Sequence, residues 1–186
     1  MDAQIIHAFA GLDEKLQRGE TIDIRAVVTD LENNGVRTAD AFEALLNDPT
    51  AFNWHYYALA GMRTLAALGR LPRDKAWTLL EKTERVAWQM GIDEFYRSIE
   101  AVVHTPEIVP ALLDFVEKRL LGQRDIPDWR WLAFTAVASI LQSETEEISS
   151  ALKDRSTLKD RLRQETGKED DPARNRELEA VVYRLP

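Results

Sequence analysis

"DPTAFNWHYYALAGMRTLAALG", residues 48–69, begins at an Asp-Pro turn, sets Trp54, His55, Tyr56 and Tyr57 side by side, and runs on in a pattern apolar on almost every side. Pro49 has no backbone N–H to give, so it belongs in a turn or in the first turn of a helix. The apolar run behind it does not alternate as a strand would, and its spacing predicts a helix over 51–69. Four adjacent rings at the start of that helix have two readings. They are the packing of a helix buried between others, or a platform that a partner touches.

Outward from this stretch, nearly every segment repeats at helical period. Helices are predicted over 2–18, 22–34, 39–47, 51–69, 72–90, 92–104, 106–121, 128–142, 144–166 and 173–184, which makes the chain all-α. The clearest stripe is Ile92, Phe95, Tyr96, Ile99, Val102 and Val103, with Asp93, Glu94, Arg97 and Ala101 on the opposite, solvent-facing side. Pro72 and Pro106 suit first helical turns. Thr21, Thr38 and Thr105 are N-cap candidates, and Gly35, Gly91, Gly122 and Gly167 follow helix ends. From Ser143 onward the apolar pattern thins and charges alternate, beginning with a Ser143 to Glu146 capping box. A polar turn, "ETGKEDDPARN", leads to a last helix carrying Leu178, Val181 and Val182.

The opening pattern recurs. A shift of 75 positions aligns Trp54, Tyr56, Tyr57, Leu59, Gly61 and Leu65 with Trp129, Trp131, Leu132, Phe134, Ala136 and Ile140. A shift of 38 places Ile92, Phe95, Tyr96, Ile99 and Val103 in the slots of Trp54, Tyr57, Ala58, Gly61 and Leu65. A period of 37 to 38 residues fits one helix pair per unit, since a single helical hairpin cannot bury its apolar face without a neighbour. "DIPDWRWLAFTAVASIL" carries an Asp-Pro-rich turn, a bulky residue, a cation and small residues at helical spacing. It resembles the start of the second helix of a HEAT-like repeat, as does "NDPTAFNWHYYALAGM" with His55 in place of the cation; the middle copy departs by holding Asp93 there.

The resemblance implies a right-handed α-α superhelix of about ten helices in one helical-repeat domain. Residues 1–37 would form N-terminal capping helices, 38–142 the repeat core and 143–186 charged C-terminal capping helices. It also implies a concave surface lined by second helices. Trp54, Tyr57 and Trp129 then belong to the inner packing. Tyr56, Leu59, Trp131 and Phe134 share slots with Glu94 and Arg97 of the amphipathic stripe and are expected to face outward, unless the terminal helices bury them.

Composition narrows the function. The formal net charge is −8, which disfavours the basic footprint that a phosphate backbone requires. Without cysteine there is no disulfide framework and no thiolate chemistry, and a reducing, cytoplasmic setting is the simplest expectation. The N-terminus lacks the basic start and apolar block of an export signal, and no apolar stretch reaches the about 20 residues of a membrane span. His7, His55 and His104 sit in no metal-ligand run, and Glu100 with His104 has no second pair to complete a carboxylate-bridged site. Serine-nucleophile and glycine-rich phosphate motifs are absent, so neither a catalytic residue nor a cofactor is expected.

The expected function is a non-catalytic protein-protein interaction module. Its partner-binding residues are Tyr56, Arg63, Glu94, Arg97, Arg130, Trp131 and Phe134, and its negative charge suits a basic protein partner, as in immunity or antitoxin-like proteins. One alternative comes from the resemblance: some HEAT-like proteins are DNA glycosylases, and Trp131, Trp129 and Asp128 would stand near the damaged base. A second alternative is a scaffold subunit that forms homo-oligomers through its apolar helix faces.

Overall fold

The computed structural model describes residues 3–90, 93–103, 107–121, 127–142 and 145–186; the side chains of 84–95 and 122–129 lie outside the described set. All regular structure in it is helical, in the order α1 (Ala3–Gln17), α2 (Ile24–Asn33), α3 (Thr38–Asn47), a 3-10 stretch (Pro49–Trp54), α4 (His55–Ala67), α5 (Arg73–Met90), α6 (Asp93–Val103), α7 (Val109–Phe115), a π segment (Val116–Leu120), α8 (Pro127–Gln142), α9 (Glu146–Lys153), α10 (Ser156–Thr166) and α11 (Pro172–Arg184). Backbone contacts divide the chain into two units, 1–101 and 102–186, a division that falls inside α6 and within the expected repeat core. No helix among the described residues is long and apolar enough to cross a membrane.

Boundaries follow local chemistry. Asp23, rather than Thr21, caps α2 by accepting a hydrogen bond from the Ala26 amide at 3.1 Å. Thr38 is the first residue of α3 and is buried, its hydroxyl 3.4 Å from Glu32. Gly35 follows α2 at φ 80°, a left-handed conformation that costs other residues energy. The predicted 51–69 helix starts as a 3-10 turn because Asp48 holds it tightly, accepting from the Thr50 amide at 2.8 Å and the Thr50 hydroxyl at 2.6 Å. Thr105, Pro106, Gly91, Gly122 and Ser143 lie outside the described residues. Thr145 caps α9 through the Ile148 amide at 3.3 Å.

The predicted 144–166 helix is two helices. They break at Asp154 and Arg155, where φ −118° and ψ 55° take Arg155 out of helical geometry. Its guanidinium reaches Asp114 at 2.5 Å, Glu117 at 2.7 Å and the Pro110 carbonyl at 3.2 Å. Glu117 stands in the π segment that continues α7. The break thus coincides with ion pairs that tie Arg155 to α7 and the π segment.

In unit 1, α4 packs on α2, α3 and α5, and α1 packs on α2. Phe9 of α1 stacks on Phe42 of α3 at 5.9 Å between centroids and lies 5.5 Å from Tyr57 of α4. In unit 2, α8 packs on α7, the π segment and α11, α9 packs on α7, and α10 and α11 form a hairpin. Two of the aligned slots are buried at all three places, Gly61, Ile99 and Ala136 at one and Leu65, Val103 and Ile140 at the next, whereas Trp54 and Tyr96 are half-buried and the Ile92, Phe95 and Trp129 side chains lie outside the described set.

Candidate functional site

Two places gather the residues expected to meet a partner, one in each unit. In unit 1 the site is the junction between the 3-10 stretch and α4. The Asp48 cap brings Phe52 to the surface with 55% exposure, and its ring meets the edge of His55 at 5.6 Å. His55 is held in turn, with Nε2 donating to the Asp48 carbonyl at 3.0 Å. The hydrogen bonds from Thr50 hold the Asp48 carboxyl below its usual range.

Behind this turn the rings are tied to α1. The Tyr57 hydroxyl donates to Asp13 Oδ1 at 2.7 Å, and the Trp54 indole donates to Asp13 Oδ2 at 3.4 Å. Burial pushes the Tyr57 phenol far above its ordinary range, and the adjacent Asp13 carboxylate pushes it further. Tyr56 is half-buried, its ring set edge-on to Tyr57 at 5.9 Å. The result is an aromatic rim whose inner members are fixed and whose outer member, Phe52, meets solvent. Leu16, one turn beyond Asp13 on α1, is 53% exposed.

The other expected residues separate. Phe134, expected to face outward, is only 2% exposed, and Leu59 and Arg63 are buried as well. The physical reason is that α4 and α8 are enclosed by neighbours on more than one side, as a helix apolar all round must be. That signal was present in the apolar run itself. Arg97 is exposed, as the stripe on α6 predicts, while the Glu94, Trp129 and Asp128 side chains lie outside the described set.

In unit 2, Arg130 and Trp131 start α8 and are met by the chain's own C-terminal hairpin. Arg130 Nε donates to Glu165 at 3.2 Å and its Nη1 to the Lys168 carbonyl at 3.2 Å, with Glu169 at 3.9 Å. The Arg174 guanidinium lies over the Trp131 ring, 5.6 Å from its centre. Trp131 is half-buried beneath it.

No protein family, curated protein or solved structure matches the chain. Among the described residues no group of three or more His, Cys, Asp or Glu side chains is placed to hold a metal ion, and His104 lies outside them.

Sequence reasoning missed Phe52 and Asp13. Phe52 stands in the quoted stretch, but its exposure depends on the 3-10 turn that precedes α4. Asp13 lies 44 positions from Tyr57, and nothing local marks it.

Proposed function

We propose that the protein is a non-catalytic protein-binding module whose contact face in unit 1 is the aromatic rim at the start of α4, and that its partner is basic. The observation that carries this reading is Phe52: a large apolar ring more than half exposed, on a turn fixed by Asp48, Thr50 and His55. A ring presented on a pre-ordered turn loses little conformational freedom on binding, which is what makes an efficient anchor.

Charge supports the choice of partner. Residues 1–54, which hold α1 to α3 and the 3-10 stretch, carry ten acidic against four basic side chains. A field of that sign speeds encounter with a cationic protein and repels nucleic acid. Of the cations expected on the concave face, Arg63 is buried and Arg130 is ion-paired, which leaves Arg97 exposed.

The test is affinity capture from the source cell with the intact chain, Phe52→Ala and Tyr56→Ala, using Tyr183→Ala as a surface control at an 88% exposed ring far along the sequence. Phe52→Ala is expected to fold normally and to weaken the partner by about 1 to 3 kcal/mol, with affinity falling as salt is raised. Equal capture by the wild type and Phe52→Ala would end the reading. Loss of cooperative unfolding in Tyr56→Ala would assign that ring to the core.

A further inference from the structure

The start of α8 is covered by a later part of the chain itself. Residues Glu165 to Arg174 bring a carboxylate to the Arg130 guanidinium and a guanidinium to the Trp131 ring. The side chains of Arg130, Glu165 and Glu169 are 11%, 17% and 12% exposed, so the ion pairs are largely shielded from water. Charged hydrogen bonds and a cation over an indole face are the contacts by which proteins recognise peptide segments of mixed charge.

The helix behind this segment packs on α10 and α8, with Lys159 donating to the Leu185 carbonyl at 2.6 Å, but its apolar stripe is narrow. Arg174 meets Trp131 and Arg184 donates to the Leu141 carbonyl at 3.1 Å, contacts that both span 43 positions, so α11 runs parallel to α8. Along that length α11 buries only Leu178 and Val182. Next to Arg174, the buried Oδ1 of Asn175 has no hydrogen-bond partner among the described residues. An unsatisfied buried acceptor and a narrow apolar stripe both lower the cost of opening this layer locally, relative to unfolding the unit.

We propose that residues 165–174 are an internal ligand that masks a peptide-binding site formed by Arg130 and Trp131. The competing ligand is a protein segment that presents a carboxylate followed, some nine residues on, by an arginine or lysine, as Glu165 and Arg174 do. While the cover is closed, only the open fraction of molecules binds such a segment, and the apparent affinity falls by that fraction. The tether sets a further threshold, because a linked segment competes at an effective concentration on the order of millimolar.

The probe is a synthetic peptide of the sequence ETGKEDDPAR, titrated into the full-length chain. In the cover-weakened variant Glu165→Gln/Glu169→Gln/Arg174→Gln the peptide is expected to bind at least about tenfold more tightly than in the wild type. Adding Trp131→Ala to that variant is expected to abolish binding. A peptide with both its first glutamate and its arginine replaced by glutamine is expected not to bind. Equal affinity for wild type and variant, or no binding by a variant that unfolds cooperatively, overturns the proposal. Should the triple variant fail to fold, Arg174→Gln alone is read by amide hydrogen exchange. Faster exchange across α11 than across α8 supports the cover, and unchanged exchange in α11 overturns it.

Discussion

Tyr57 donates its phenolic hydrogen to Asp13 at 2.7 Å and so ties the start of α4 to the middle of α1. The same carboxylate receives the Trp54 indole, so one acid on the first helix orients two of the four adjacent rings. The rim is thereby fixed from behind, and its outer edge, Phe52, meets solvent.

Replacement of this hydroxyl tests the tie directly. Tyr57→Phe is expected to lower stability by about 1.5 to 3 kcal/mol, the range for a hydrogen bond to a charged acceptor. Urea unfolding should show a lower midpoint at unchanged slope. The pH dependence has a definite sign. The folded phenol titrates above its unfolded value of about 10, so its contribution is complete below that pH and is lost as pH rises further. Tyr57→Phe should remove this part of the alkaline decline, and an unaltered profile would show that the bond contributes nothing.

Gly61 makes a second prediction. A Cβ built there would fall against the Phe42 ring, 2.7 Å from Cζ and nearer still to Cε2. Phe42 is fully buried and stacked on Phe9, so it has little room to give. Gly61→Ala should therefore destabilise by about 1 to 3 kcal/mol through overpacking, although alanine is the better helix former. Thermal unfolding of Gly61→Ala beside Gly61→Ala/Phe42→Leu should show partial recovery in the double variant.

Part of the acid sensitivity should come from Glu43, the carboxyl held by Lys75. This cation holds Glu43, to which Thr78 also donates at 2.8 Å, and lies 3.4 Å from Asp40. The hydrogen bond from Lys75 keeps the Glu43 carboxyl below its usual range against the opposing effect of burial. A carboxyl with a lowered folded pKa stabilises above its unfolded value of about 4.3, and that contribution disappears as pH falls through the folded value. Lys75→Met is expected to raise the pH of acid unfolding, followed by circular dichroism. An identical acid transition would show the cluster to be energetically idle.

The break between α9 and α10 should depend on Arg155. Burial alone would raise the Asp114 carboxyl, but the hydrogen bond and charge of Arg155 bring it below its usual range. Arg155→Ala would leave Glu117, 14% exposed, without that partner and is expected to cost about 2 to 3 kcal/mol. Arg155→Lys should recover only part of this, since an ammonium cannot serve two carboxylates and a carbonyl in a planar fork. A calorimetric Tm for Arg155→Lys equal to wild type would show that charge alone suffices.

How far the sequence was legible depends on the range of the interaction. The stripe on α6 announced both the buried Ile99, Val102 and Val103 and the exposed Arg97, because adjacent residues on a helix turn through a fixed angle. The slot logic failed for Leu59 and Phe134. It assigned them the environment of Arg97, yet their helices are covered where that face of α6 is not. The single helix expected over 144–166 failed for a similar reason. Arg155 is pinned by residues 38 to 45 positions away, and no local pattern records them.

The sequence by itself therefore determined that the chain is helical, where most helices begin and end, and which inner slots are apolar, since these follow from backbone chemistry and helical period. Only the tertiary structure decided which rings are exposed. Exposure depends on how many neighbours enclose a helix, and those neighbours come from distant parts of the chain. Phe52 reaches solvent because of a capped 3-10 turn, Phe134 is sealed in, and Trp131 lies beneath an arginine from the last helix.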